Sequence, residues 1–196
     1  MAQFKQQYQQ GSRRRPITKD AIFHYVYAVL HDPEYLRKYD RNLKRDFPHI
    51  PFYRDFWEWA GFGEALMDLH IGYESAKPAQ LKRIDVRDEG SRDSGLPPKS
   101  LLRADQEHGV IKLDSETTLT GIPSEAWRYK LGGRSALEWV LDQYKEKRPK
   151  DPTIREKFNT YRFADYKEAV IDLVKRVTTV SVETIRILLA MEKAAR

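Results

Sequence analysis

Residues 117–147, TTLTGIPSEAWRYKLGGRSALEWVLDQYKEK, constrain the fold more than any other stretch. Thr117, Thr118, Leu119 and Thr120 favour a strand, because branched side chains pack well on a pleated surface. Gly121 breaks it, and Pro123 suits the first turn of a short helix, where its missing N–H costs nothing. Trp127 to Leu131 reads as a second strand, and Gly132-Gly133 as a tight turn. Ser135 followed three residues later by Glu138 makes a capping box. Ala136, Leu137, Val140, Leu141 and Tyr144 then give the new helix one apolar face. Strand, turn, short helical turn, strand, tight turn and helix in so short a run demand a mixed fold. Arg134 falls at the turn beside that helix N-terminus, a place that suits phosphate and from which a guanidinium reaches a base edge.

Most of the remaining chain is helix-patterned, so the expected class is α+β, mostly helical. A small antiparallel sheet is expected between an N-terminal helical block and C-terminal helices. Helices are expected near 18–31, 33–47, 54–73, 135–146 and 165–191, with a short one from Ala2 to Gln10 that puts Phe4 and Tyr8 on one face. Thr18 is a good N-cap, and Ile22, Val26, Val29 and Leu30 form the apolar face after it. Asp32-Pro33 restarts the chain as cap and first helical residue, with Leu36, Tyr39, Leu43 and Phe47 inward and Pro48 as the stop. The outer face of that helix carries Arg37, Lys38, Arg41, Lys44 and Arg45, a solvated face or a DNA-facing one. In 54–73, Phe56, Ala60, Gly63, Met67 and His70 form one track beside Trp59, Leu66, Leu69 and Tyr73. Trp57 and Trp59 flank Glu58, so at least one ring leaves the stripe, for packing or for stacking on an unstacked base. Residues 87–94 read as an exposed loop. Strands are expected at 82–86, 101–104, 110–113 and 117–120, with His108-Gly109 as a turn, and 127–131 continuing the meander. Asp165 with Glu168 caps the last helix. Residues 178–182 are rich in β-branched residues, but the stripe Val170, Leu173, Val174, Val177, Val180, Ile185 and Leu188 keeps a 3.6 period and decides for helix. One domain is expected over 1–196: an extension to 16, a helical block 17–74, loop and sheet 75–134, and C-terminal helices 135–196.

The formal net charge is +6, with +5 in residues 1–50 (ten Lys/Arg, five Asp/Glu) and −2 in residues 51–100 (seven, nine). That balance is compatible with nucleic acid without requiring it. Arg13, Arg14 and Arg15 make the densest positive run, a phosphate contact or a solvated linker. Cysteine is absent, so disulfides, thiolate nucleophiles and cysteine metal sites are excluded, which fits a cytoplasmic protein. No apolar run is long enough to span a membrane. No phosphate-cradling GxxxxGK[ST] or dinucleotide GxGxxG occurs. His24, His31, His49, His70 and His108 lack HExxH spacing; His24 and His31, seven apart, share a helix face at most. Asp151, Glu156 and Lys157 match a nuclease triplet only loosely, and Ser135 has no base nearby in sequence. No catalytic residue and no metal ligand is therefore expected.

The segment GIPSEAWRYKLGGRSALEWVLDQY resembles the signature of the C-terminal specificity domain of type ISP restriction-modification enzymes. ITKDAIFHYVYAVLHDPEYLRKYDRNLKRDFPHIPF at 17–52 is similar to that family's helical block, and LVKRVTTVSVETIRI at 173–187 to its last helix. The blocks occur in the family's order and span most of the chain. The resemblance implies DNA target recognition within a larger enzyme whose methyltransferase and helicase domains lie upstream, with this chain either a fragment of a larger domain or the end of a larger protein. S-adenosylmethionine and ATP would belong to those domains, with no cofactor here. It also implies duplex DNA and the upstream domains as partners. Candidate DNA contacts are then Arg134 at the turn, Arg128 and Lys130 on the strand before it, Lys112 on the neighbouring strand, and Arg13, Arg14 and Arg15. Strand alternation would put Arg128 and Lys130 on one face, opposite Trp127, Tyr129 and Leu131. Two rivals stay open: a solvated sheet face, and a helical scaffold docking a methyltransferase or helicase domain without touching DNA.

Overall fold

The computed structural model describes residues 2–8, 16–93, 95–147, 151–157 and 161–196. It divides into two compact units, Met1–Tyr73 with Glu183–Arg196, and Glu74–Val182. Helix accounts for 57% of it, beside one four-stranded antiparallel sheet, so the class is α+β as expected.

The first unit contains α1 (Ala2–Tyr8), α2 (Lys19–His31), α3 (Pro33–Leu43), α4 (Phe56–Ile71) and the end of a helix completed below. Thr18 caps α2, its hydroxyl accepting the Ala21 N–H at 3.1 Å. Asp32 ends α2 and caps α3 through the Glu34 N–H at 3.1 Å, with Pro33 at the first helical position. The buried stripe of α2 differs from the expected one. Ala21, Tyr25, Ala28 and Val29 are buried, while Ile22, Val26 and Leu30 are only half-buried. The cause is a close helix crossing: a Cβ on Gly63 of α4 would lie 1.7 Å from the His24 carbonyl oxygen. Backbones that near leave room only for small residues at the seam, and the bulky ones move to its flanks.

α3 also departs from expectation. It ends at Leu43, short of Pro48, and Tyr39 is non-helical (φ −111°, ψ 15°). The stripe therefore does not run on: Tyr35 is buried, while Leu36, Tyr39 and Phe47 are exposed, Phe47 at 94%. Residues 46–55 after it have no regular structure, and aromatic hydroxyls satisfy their backbone instead. Tyr35 donates to the His49 carbonyl (3.0 Å), Tyr25 to the Pro51 carbonyl (2.7 Å), and Tyr8 to the Tyr53 carbonyl (2.7 Å). The Tyr53 N–H in turn donates to the Tyr25 hydroxyl at 2.7 Å.

The second unit holds β1 (Lys82–Asp85), α5 (Glu89–Asp93), β2 (Ser100–Asp105), β3 (Val110–Asp114), β4 (Thr117–Thr120), α6 (Ser124–Arg128), β5 (Lys130–Leu131), β6 (Arg134–Ser135), α7 (Ala136–Gln143) and α8 (Pro152–Lys157). α9 (Phe163–Lys193) begins in it and ends in the first unit. Sheet order is β1-β4-β3-β2, antiparallel throughout. Ile111, Leu113 and Leu119 point to one side and pack with Leu102, Leu137, Leu141, Phe163, Val170 and Val174.

The short helix expected after Gly121 forms over 124–128, with Pro123 extended at its N-cap (φ −61°, ψ 145°). Three other expectations fail. The helix runs on through Trp127 and Arg128, because Ala126 and Trp127 bury one side of its single turn. The expected strand 127–131 thus shrinks to β5, which pairs only with β6 around Gly132-Gly133 and not with the meander. The 87–94 loop contains α5. α9 starts at Phe163, so Asp165 lies in its first turn, where a negative charge suits the exposed N–H groups, rather than at its cap. The Phe163 N–H donates to the Glu146 carboxylate at 2.9 Å. α9 runs unbroken through 178–182, where the Thr178 hydroxyl donates back to the Val174 carbonyl at 2.7 Å.

Candidate nucleic-acid interface

Strand register assembles the exposed face of the sheet. Ile84 pairs with Thr118, Thr118 with Lys112, and Lys112 with Arg103, so these four lie in one row across the sheet. Because side chains alternate, the row faces away from Ile111 and Leu119. Lys112, expected as a contact, is exposed, and Arg103 stands beside it, also exposed. Arg103 was not singled out from the sequence. A bulge between Ser100 and Arg103 resets the register, with Leu102 buried at a left-handed φ of 43°. The signal that would have found Arg103 is its position opposite Lys112 across the His108-Gly109 turn.

That turn forms. Asp105 accepts the His108 N–H at 3.2 Å and lies 3.0 Å from His108 Nδ1, and the His108 hydrogen bond holds the Asp105 carboxyl below the usual range. Gly109 is left-handed (φ 63°), and a Cβ there would come within 2.7 Å of the Ile122 carbonyl oxygen, so only glycine fits.

Arg134 lies on β6 just after Gly132-Gly133. Its Nη1 is 3.4 Å from Asp142, and its guanidinium carbon is 5.5 Å from the Trp139 ring centre. Trp139 is itself held by an indole N–H bond to the Leu131 carbonyl at 2.8 Å. The guanidinium is therefore braced on a cation–π contact while its side chain stays 53% exposed. The capping box is complete: the Ser135 N–H (2.9 Å) and hydroxyl (2.8 Å) donate to Glu138, and the Glu138 N–H donates to the Ser135 hydroxyl at 3.3 Å. The Ser135 N–H chiefly keeps the Glu138 carboxyl below its usual range. Glu138 thereby occupies the helix N-terminus that phosphate would have used, leaving Arg134 itself as the available group. A hydrogen bond between Glu138 and Gln106 joins this corner to the β2–β3 turn.

The other candidates divide. Lys130 is exposed on β5, and Arg128 is exposed on the last turn of α6. Their expected common strand face does not exist, because Arg128 is helical. Arg13, Arg14 and Arg15 lie outside the described residues. Arg37, Lys38, Arg41, Lys44 and Arg45 are exposed on and after α3, with Lys44 paired to Asp40 at 2.8 Å. Trp59 is buried and donates to the Ala195 carbonyl at 3.1 Å, so it is core, whereas Trp57 is half-buried against Phe56. Ser135 is a cap, and Asp151 accepts the Thr153 and Ile154 N–H groups as the cap of α8. His24 and His31 part company: His24 lines a cavity with Trp57, while the His31 ring packs 5.4 Å from His70. Among the described residues no cluster of His, Asp or Glu is arranged to hold a metal, and no helix is long and apolar enough to cross a membrane.

A small α+β module with cations on an open sheet face, and an arginine braced at an adjoining turn, has the character of a polyanion-binding domain. Residues 1–173 match the Type ISP C-terminal specificity domain, and the chain belongs to that family. No curated protein sequence matches it. Among solved structures it is similar to a chain of the cryoEM DrdV–DNA complex, at 55% identity and TM-score 0.87, over 95% of this chain and 19% of that one. It is also similar to a nuclease-deletion mutant of the Type ISP restriction-modification enzyme LlaGI in complex with a DNA substrate mimic (29% identity, TM-score 0.70, 89% of this chain and 16% of that one). The fold recurs in the ATP-dependent Type ISP enzyme LlaBIII bound to DNA (23% identity, TM-score 0.68, 89% and 11%). The chain thus spans about a fifth or less of the solved chains it matches.

Proposed function

We propose that this chain is a target-recognition module that binds duplex DNA and performs no chemistry of its own. The observation that carries the proposal is the 55% identity, over 95% of its length, to part of a chain solved as a DNA complex. Within that reading, Lys112 and Arg103 on the sheet face and Lys130 and Arg128 near the turn neutralise phosphates and set register, as does the run Arg13, Arg14 and Arg15. Arg134 reads a base edge, with a bidentate contact to guanine as its strongest option. S-adenosylmethionine and ATP are bound by methyltransferase and helicase domains elsewhere in the enzyme, which are also its partners. A second reading, docking of those domains on the helical unit, is favoured by the exposure of Phe23 (59%), Phe47 (94%) and Ile71 (73%).

The test is Arg134→Ala in the full-length enzyme. Loss of a guanine contact costs about 1–3 kcal/mol on the cognate site and relaxes selectivity at that base pair. Methylation of the native site with unchanged selectivity would show that the turn is structural.

A further inference from the structure

A second concave site lies at the far end of α7. We propose that the cleft formed by Leu96, Pro97, Lys99, Ser100, Lys145 and Arg162 holds the phosphodiester backbone of the bound DNA, next to the base-reading corner. This rests on the DNA-binding reading above. The cleft has a volume of about 720 Å³ and carries three exposed cations, Lys99, Lys145 and Arg162, with the Ser100 hydroxyl between its walls. Among its described lining residues the one carboxylate is Glu146, which accepts the Phe163 N–H at 2.9 Å and leaves three cations against one anion.

Both walls are built before any ligand arrives. Pro97-Pro98 stiffens the entry to β2. Lys99 is clamped on both sides of its backbone: its N–H donates to the Ser115 hydroxyl (3.1 Å), and its carbonyl accepts the Ser115 N–H (2.9 Å). On the other side the Tyr161 hydroxyl donates to the Tyr144 carbonyl at 2.9 Å, and Phe163 is buried at the start of α9. The cations are held near the cleft as well, Lys145 3.3 Å from Asp142 and the Arg162 Nη1 donating to the Tyr161 carbonyl at 2.8 Å, which keeps the ordering cost of binding small.

Asp142 links this cleft to the turn. Its carboxylate lies 3.4 Å from Arg134 and 3.3 Å from Lys145, so the two cations are tethered to one side chain from opposite directions along α7. A strand whose base meets Arg134 therefore has neighbouring phosphates within reach of Lys145 and the cleft beyond it. A phosphodiester chain fits this layout better than a free nucleotide does, because among the described residues no aromatic side chain lines the cleft to take a base.

The experiment is a salt titration of DNA binding by the full-length protein, using fluorescence anisotropy with cognate and scrambled duplexes. The variant is Lys99→Gln/Lys145→Gln/Arg162→Gln. Each phosphate contact adds about 0.9 to the slope of log affinity against log salt, so the triple variant should lose roughly 2–3. Cognate and scrambled duplexes should weaken alike. If its melting temperature falls, Lys99→Gln alone is measured, since only backbone atoms pin that residue, and a loss of about 0.9 is expected. An unchanged slope in the variant, where the wild-type protein binds DNA, overturns the cleft and spares the recognition reading. Weakening confined to the cognate duplex also overturns it, because phosphates carry no sequence. A wild-type protein with no salt-dependent DNA binding sinks both.

Discussion

The two units satisfy their backbones in opposite ways. In the second, strand ladders pair the N–H and C=O groups, and the core beneath them is almost wholly aliphatic: Leu102, Ile111, Leu113, Leu119, Leu137 and Val170. In the first, the unstructured stretch 46–55 is held by the hydroxyls of Tyr8, Tyr25 and Tyr35, and the core is built from Tyr25, Tyr53, Phe56 and Trp59 around a fully buried Asp32. Asp32 accepts from Tyr53 at 2.8 Å and from Arg196 at 2.8 and 3.1 Å. Burial pushes its carboxyl up, but the bonds from Arg196, Tyr53 and the Glu34 N–H outweigh that and hold it below the usual range. The first unit thus centres its buried polar network on one carboxylate among aromatic rings. The second places its buried polar groups beside the sheet, with Asp114 paired to Lys167 at 2.8 Å, and keeps Arg103, Lys112 and Lys130 exposed.

The contrast can be tested from its strongest point downward. Gly63→Ala should be the most damaging change, costing about 3 kcal/mol or more, because its new methyl meets a backbone carbonyl that cannot step aside. Chemical denaturation followed by tryptophan fluorescence measures this, and a tolerated alanine would refute the tight crossing. Tyr53→Phe should cost about 1.5–3 kcal/mol, the range for a hydrogen bond to a charged group, and should raise the Asp32 pKa. An equal loss from removing any exposed tyrosine hydroxyl would erase the distinction between the units.

A pH experiment comes next. Burial first, and then the nearby charge of His31, pushes His70 down to about 4 from an ordinary value of 6.5. Its ring nitrogens lie 2.8 Å from the Tyr27 hydroxyl and 3.1 Å from the Thr184 hydroxyl. Protonation favours the unfolded chain, so this stability is complete above about pH 6.5 and is lost as pH falls toward 4. The melting temperature should drop across that window, and His70→Gln should flatten the drop; an unchanged profile would mean His70 is not held neutral. Smallest is Gly61→Ala, on the same helix as Gly63 but with nothing within 4 Å of its new methyl. It should stabilise by about 0.5–1 kcal/mol through helix propensity alone. A loss of stability there would mean the surface of α4 is as crowded as its seam.

Local signals in the sequence were reliable where the cause was local. Thr18, Asp32-Pro33 and the Ser135–Glu138 box all act as caps, and the period through Val170, Val174 and Val177 overrode the β-branched run 178–182. Failures came where a distant partner decided. The stripe of α2 was misplaced because the approach of Gly63 selects small residues, and nothing near Ile22 or Val26 reports that. Trp127 looked like a strand residue until Pro123 placed its turn against the core. For the interface, Lys112 and Arg134 were legible from turn and strand signals, and Arg103 follows from the pairing counted back across the His108-Gly109 turn, whereas the brace of Arg134 on Trp139 and Asp142 depended on how α7 returns past β6.

α9 gives the chain an unusual order of assembly. The second unit comprises 74–182 alone, but the first needs 183–196 as well. Met191 is fully buried in its core, the Ala195 carbonyl receives the Trp59 indole, and Arg196 neutralises Asp32. On a ribosome, which delivers the N-terminus first, the helices of residues 2–73 must wait as an incomplete bundle until residues 183–196 emerge. The sheet unit between them already has every residue it requires. Of the two units, the one whose synthesis starts first is therefore the one that finishes folding last.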